Sequence, residues 1–364
     1  MGEEKPEHIH ELLQSLEQAE PAGDFSVVVM PDFFSDRLVT FEGSARQFYD
    51  AIAEVAKRKG GSIHGIRQTA SRGGNAANTA AALAALGAEV HPIISTGPLG
   101  HHLLRLNLEP LGVDLSHVKV HGETSLTTAL EFTNQDERVN VMMCDLGSLE
   151  EFGPDNLTPE DLQLLQEANY VCVFDWAGTR RWGTELAEKV FSHVKKEGKG
   201  KAYYDTSDPS PKKNEVPTLM KKVLLSDIID VLSVNENEAS CYASHLSNKV
   251  KPPQQTLKTS KSAAECARIL ANRLSARIDL HTTAFSGSFT GKAEVTVPAF
   301  NVSISRVTGA GDAWNAGNIF GDALRLSDSC RLTLANAVAA YYISSGTGEH
   351  PTLPDLMDFL SKQR

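Results

Sequence analysis

Short runs of β-branched residues alternate along the chain with longer segments whose apolar positions recur every three to four residues. FSVVVM (25–30) is the first strong strand signal, because β-branched side chains pack well on a pleated surface. Pro31 and Asp32 mark a turn after it. SRGGNAANTAAALAALG (71–87) begins as a glycine turn and runs into an alanine-rich helix that stops at Gly87. EVHPIIS (89–95) predicts the next strand, and LLRLNLEPLG (103–112) a helix closed by glycine. YVCVFDW (170–176), KAYYDT (201–206) and IIDVLSVN (228–235) predict further strands, interleaved with helices at 184–198 and 262–276. RIDLHTTAF and EVTVPAFNVS add more strand, ending near Ser305, and two helices at 311–327 and 331–346 close the chain. Such alternation predicts an α/β fold with a mostly parallel sheet and helices on both faces.

The rhythm breaks at 123–146, where two β-rich runs flank the polar turn Asn134–Glu137. That pattern predicts an antiparallel hairpin. Leu38–Phe41 and Ile63–Thr69 also read as strand, around a helix-like insert at 45–59. Together these pieces predict a small separate sheet. Residues 7–19 predict an amphipathic helix ahead of the body, and the polar, proline-containing basic stretch 245–261 an exposed, mobile loop. No internal repeat or low-complexity tract is present.

Composition narrows the functional classes. The chain has 364 residues, 41% of them hydrophobic, and a formal net charge of −11. An acidic surface repels phosphodiester backbones, so nucleic acid is not expected as a partner. A local cluster of backbone N–H groups can still bind a nucleotide. The five cysteines (144, 172, 241, 266, 330) are scattered and show no CxxC spacing. A reducing cytoplasm is therefore expected, without disulfides or zinc. The acidic N-terminal segment does not read as a signal peptide, and no apolar run reaches membrane-spanning length.

The most informative stretch is VTGAGDAW, Val307 to Trp314. A strand is expected to end before it and a helix to start near Asp312. Gly309, Ala310 and Gly311 leave backbone N–H groups uncovered at the positive end of the helix dipole, which suits an anion. A carboxylate directly after such a site repels phosphate, yet makes sense if it must accept a proton from an attacking alcohol. The ordinary alternative is that Asp312 merely caps the helix. GGNAAN (73–78) places two asparagines at another helix start, where they can bond a polyol or simply cap the turn. NENE (235–238) follows a strand and can hold magnesium through water, or be a capping Asn with a first-turn Glu.

In this order, these segments resemble the ribokinase (PfkB) family of carbohydrate kinases, from about Phe25 to Ser345. The resemblance rests on Gly73–Asn78 with its helix and, more specifically, on Val307–Gly317. It implies a doubly wound, ribokinase-like α/β domain (25–36, 73–117 and 148–364) with a small β lid built from 37–72 and 118–147, and residues 1–24 as a helical extension. It also implies roles. Asp312 is the base, with Gly309, Ala310 and Gly311 as its anion hole. Gly74, Asn75 and Asn78 contact the substrate, and Asp36, placed at the end of the first strand, grips its hydroxyls, with Asp32 as a weaker candidate. Asn235, Glu238, Thr283, Thr308, Gly309, Gly311 and Asn336 serve the nucleotide. Magnesium would be held by Asn235 and Glu238 through water, and a homodimer would form through the lid.

Three features depart from the family pattern. Arg306 stands where an Asp associated with potassium is common, so a fixed positive charge is expected to remove the need for a monovalent cation. Thr283 stands where a Thr-x-Gly glycine would fall, which leaves ATP and ADP both open as donors. The insert at 45–59 interrupts the lid. Separately, Arg180 and Arg181 follow a strand end, where open α/β sheets bind ligands. They suit a phosphate already on the substrate, or form an ordinary solvated basic turn.

The resulting expectation is phosphoryl transfer from ATP or ADP to a hydroxyl of a sugar, sugar phosphate or, as runner-up, a nucleoside. Phe33 and Phe34 would stack a base in the last case, or be core. A non-catalytic sugar-binding protein on the same fold is the rival of another class. A dehydrogenase finds no GxGxxG after the first strand.

Overall fold

The computed structural model describes residues 7–18, 25–134, 137–247 and 260–363. Residues 248–259 of the expected basic loop lie outside these, while 245 and 246 end a helix.

The main sheet has eight strands in the order β14-β13-β12-β11-β10-β9-β1-β4. It uses β1 (Ser26–Met30), β4 (Glu89–Pro92), β9 (Tyr170–Val173), β10 (Lys201–Asp205), β11 (Val231–Val234), β12 (Arg277–His281), β13 (Phe285–Phe289) and β14 (Glu294–Pro298). The six strands from β4 to β12 run parallel, and β13 and β14 fold back antiparallel. The parallel strands are apolar and sealed: Val27 to Met30 are fully buried, as expected of a sheet covered on both faces. β14 stops at Pro298 and residues 299–309 are irregular, so the strand expected to reach Ser305 is shorter.

Helices cover both faces. One layer holds α5 (Pro159–Glu167), α6 (Gly183–Glu197), α7 (Val216–Leu219), α8 (Glu236–Leu246) and α9 (Ser260–Ala271). The other holds α1 (Glu7–Gln18), α3 (Asn75–Ala85), α4 (Pro98–Leu108), α10 (Ala310–Ala323), α11 (Asp328–Ser344) and α12 (Leu353–Lys362). The amphipathic stripe of α1 buries Ile9, Leu12 and Leu16 in this second layer. The alanines of α3 bring its backbone close to the sheet, with Ala76 through Leu83 all buried.

A separate four-stranded sheet has the order β3-β2-β7-β8, from β2 (Phe34–Thr40), β3 (Arg67–Gly73), β7 (Leu126–Asn134) and β8 (Glu137–Asp145). The expected hairpin is β7–β8. β5 (Ser95–Thr96) and β6 (Lys119–Val120) make a short third pair. The small sheet starts at Phe34, so Asp36 stands inside β2 rather than at the end of the first strand. The insert α2 (Ala45–Lys57) leaves β2 and β3 paired from end to end. It lies against the sheet through Phe48, whose ring is 5.2 Å from Phe41 and 5.3 Å from Phe132.

Candidate active site

Strand order reverses between β1 and β9, the position where open α/β sheets form a ligand crevice. Three carboxylates stand at the carboxyl edge there. Asp32 follows β1, Asp175 follows β9 and Asp205 ends β10. Asp32 is fully buried, and its carboxylate accepts from the amides of Asn75 (2.6 Å) and Ala76 (2.9 Å), so it caps α3 from outside. Gly74 makes this possible. Its φ is 93°, and a Cβ there would lie 2.8 Å from the Phe33 Cα. Asp175 has a φ of 50° and accepts from the Gly178 amide at 2.9 Å. Asp205 accepts from Asn315 Nδ2 at 2.7 Å and from the Ser207 amide at 3.0 Å.

The fourth carboxylate arrives from α10. Gly309 is the N-cap, with a φ of 87°, which places Asp312 in the first turn. Asp312 does not cap its own helix. Its Oδ2 accepts instead from Asn78 Nδ2 of α3 at 2.9 Å. The residue is 7% exposed, while Gly309, Ala310 and Gly311 beside it are half-buried and Val307 and Thr308 are exposed. Of the three expected anion-hole amides, that of Ala310 already donates to the Val307 carbonyl at 3.2 Å. Burial pushes the Asp312 carboxyl up to about 8; the Asn78 bond opposes this, Asp205 and Asp175 add to it, and Arg72 counters. Burial and Asp175 likewise raise Asp32, and burial raises Asp175.

The other candidates divide. Asn75 donates through Nδ2 to the Ser207 hydroxyl at 3.1 Å, so it faces the same edge. Asp36 is half-buried in the small sheet, raised to about 6 by burial against an opposing Thr127 hydrogen bond. Asn235 and Glu238 form a reciprocal capping box on α8, as the plainer reading had it. Glu238 is 2% exposed and held well above the carboxylate range, by burial first and then Asp205. Thr283 is exposed, its amide 3.4 Å from Glu236 Oε1. Asn336 is not turned to the site: Ser286, Trp314 and the Pro298 carbonyl use its amide in the core. Arg180 is exposed and reaches the Pro211 carbonyl at 3.3 Å, and Arg181 pairs with Glu151. Phe33 and Phe34 are core residues. Arg306 lies over the Tyr342 ring, 5.5 Å from its centroid, behind the Gly309 turn.

Sequence reasoning missed Asp175, Asp205, Arg72 and His281. The two aspartates carried a signal, since each stands next to last in a predicted strand, at the carboxyl edge where Asp32 follows the first. His281 stacks on Trp314 at 4.9 Å and lies beside Gly311, with no hydrogen-bond partner for its buried Nε2. Nothing in the sequence linked Arg72 to residue 312. A shallow cleft of about 460 Å³ between Met220 and His245 shares no residue with this cluster.

Comparisons with known proteins place the fold. The family described as pfkB family carbohydrate kinase matches residues 37–355. A ribokinase of Arabidopsis thaliana, solved with ribose and ATP, is 19% identical, with a TM-score of 0.71 over 94% of this chain and 100% of that one. A Cryptococcus neoformans ribokinase in complex with ADP is 16% identical, with a TM-score of 0.70 over 92% of this chain and 99% of that one. An adenosine kinase of Sinorhizobium meliloti is 16% identical, with a TM-score of 0.66 over 88% and 94%. No curated protein sequence gives a match.

Proposed function

We propose, on the premise that this chain belongs to the pfkB family of carbohydrate kinases and is therefore a kinase, that Asp312 is the base through which it phosphorylates a hydroxyl of a small polyhydroxylated substrate. The observation that carries this is the Asp312 carboxyl, buried at the first turn of α10 and bonded by Asn78 rather than by its own helix. Burial that raises a carboxyl toward neutrality makes it a fit acceptor for an alcohol proton. The proton passes to Asp312, the alkoxide oxygen attacks the terminal phosphorus of ATP or ADP, and the bond to the leaving nucleotide breaks. In this reading the Gly309 and Gly311 amides stabilise the developing charge on the phosphoryl oxygens.

In this reading Asn75, and Asp36 from the small sheet, hold substrate hydroxyls, with that sheet as the lid; the bond from Asn75 to Ser207 supports the first. Among the described residues no three His, Cys, Asp or Glu side chains form a direct metal set. Magnesium held through water by Glu238 and Asn235 is the form that fits, because Glu238 is a buried carboxylate crowded by Asp205 and Asp208. The ion would neutralise donor phosphate charge. The small sheet exposes Leu126, Val141, Met142 and Met143, which supports a homodimer through the lid.

The test is a panel of sugars, sugar phosphates and nucleosides with ATP and ADP, run on the unaltered protein and on Asp312→Asn. Turnover should fall about 10²–10⁴-fold in the variant. Near-normal turnover in Asp312→Asn removes the base from this assignment. Sugar binding without transfer across the whole panel would favour a regulatory protein.

A further inference from the structure

Arg72 is the next-to-last residue of the lid-forming strand β3, and the structure gives it two unusual neighbours. Its Nε donates to Asn78 Oδ1 at 3.1 Å, and the same Asn78 donates through Nδ2 to Asp312 at 2.9 Å. Its Nη2 lies 3.3 Å from His350 Nε2 in the loop before α12. That imidazole stacks on Tyr342 of α11, with ring centroids 4.5 Å apart and planes 11° from parallel. No Asp or Glu forms an ion pair with Arg72 among the described residues.

The chemistry of this chain of contacts is directional. A guanidinium only donates, so its bond to Asn78 fixes which end of that amide is oxygen. The NH₂ end is then forced toward Asp312, where it can only donate. His350 must present a bare Nε2 to accept from Arg72, and its burial between Arg72 and Arg306 holds it neutral. The loop before α12, the base of the lid and the carboxylate of α10 are thereby joined through four side chains.

We infer that Arg72 is a positioning residue for phosphoryl transfer: acting through Asn78, and held in place by His350, it orients the Asp312 carboxylate. The inference rests on the reading of Asp312 as the base. The groups facing Asp312 are Asp32 after β1, Asp175 after β9, Asp205 on β10 and Arg72 on β3. Arg72 is the one cation among them, and together with the Asn78 bond it opposes the negative neighbours. The groups facing His350 are Arg72 and Arg306, with Tyr342 against its ring.

The experiment measures kcat and kcat/KM from pH 6 to pH 9.5 for Arg72→Gln, Arg72→Lys and His350→Phe, with Asp312→Asn as reference. Arg72→Gln should lose kcat by roughly tenfold near neutrality. Its acid limb should move to higher pH by roughly half a unit or more, since an opposite charge near a carboxylate favours ionisation. Arg72→Lys retains charge without the fork, so its limb should stay near that of the unaltered protein while kcat falls. His350→Phe keeps the stack on Tyr342 but not the acceptor, and should shift the limb in the same direction as Arg72→Gln, by less. Unfolding curves exclude loss of fold as the cause. If Asp312→Asn is inactive while Arg72→Gln leaves both kcat and the acid limb unmoved, the positioning role is wrong and the base survives. If Asp312→Asn is active, the base itself is wrong.

Discussion

Replacing Asp312 with asparagine should make the protein more stable as well as less active, and the gain should grow with pH. Folding moves this carboxyl from an ordinary 3.8 up to about 8. The folded state therefore holds the proton more tightly than the unfolded chain does. The stability this group contributes is full below pH 3.8 and is lost as pH rises toward 8. At about 1.36 kcal/mol per decade of proton affinity, the whole cost of keeping the ionised carboxylate in its native place is about 6 kcal/mol. The cost is large because the side chain is 7% exposed and receives one hydrogen bond, from the neutral amide of Asn78. Asparagine keeps an oxygen for that bond and titrates nothing. Urea unfolding of both proteins at pH 5 and pH 8.5 reads the effect. The stability difference between them should widen by roughly 4 kcal/mol over that interval. Asp32, Asp175 and Glu238 also titrate upward, but they are present in both proteins and largely cancel in the difference. Parallel pH dependences for the two proteins would show that Asp312 ionises as freely folded as unfolded, and the reasoning fails. Sites that gain stability when disabled are those where function required a strained charge.

Two other outcomes follow from single positions. Gly74→Ala should cost about 2–4 kcal/mol in urea unfolding and abolish turnover, because a positive φ and the contact with Phe33 both penalise a Cβ and the Asp32 cap on α3 is lost; a cost below about 1 kcal/mol would mean that the turn has another conformation. Because Arg306 packs on Tyr342 behind the Gly309 turn, exchanging sodium for potassium at constant ionic strength should change the rate less than about twofold, and strong activation by potassium would remove Arg306 from the role of fixed cation.

Local signals carried the architecture. β-branched runs such as Val27–Val29 and the alanines of α3 announce their elements without tertiary help, and the glycine turn before Asp312 marks its own helix start. What stayed illegible depends on partners far apart in the chain. The bond between Asn78 and Asp312 spans 234 positions and that between Arg72 and His350 spans 278, and neither has a local pattern. The family resemblance gave Asn336 to the nucleotide, yet Trp314 and Ser286 claim its amide. Asp36 was placed at the end of the first strand, but that strand ends at Met30 and Asp36 belongs to a different sheet that begins at Phe34.

The choice of base among four neighbouring carboxylates can be argued from their remaining lone pairs. A general base needs an oxygen free to receive the proton and within reach of the substrate. Asp32 is fully buried with both oxygens bonded by the α3 amides. Asp205 is committed on both oxygens as well, to Asn315 and to the Ser207 amide. Asp175 receives the Gly178 amide and is bonded by Ser207. Asp312 keeps its Oδ1 without a donor among the described residues, and it adjoins the half-buried glycines of the α10 turn. Asp205 and Asp175 act on it from a distance, as negative charges that raise its affinity for a proton. Arg72 limits that rise, which suits the carboxylate to the proposed role of base.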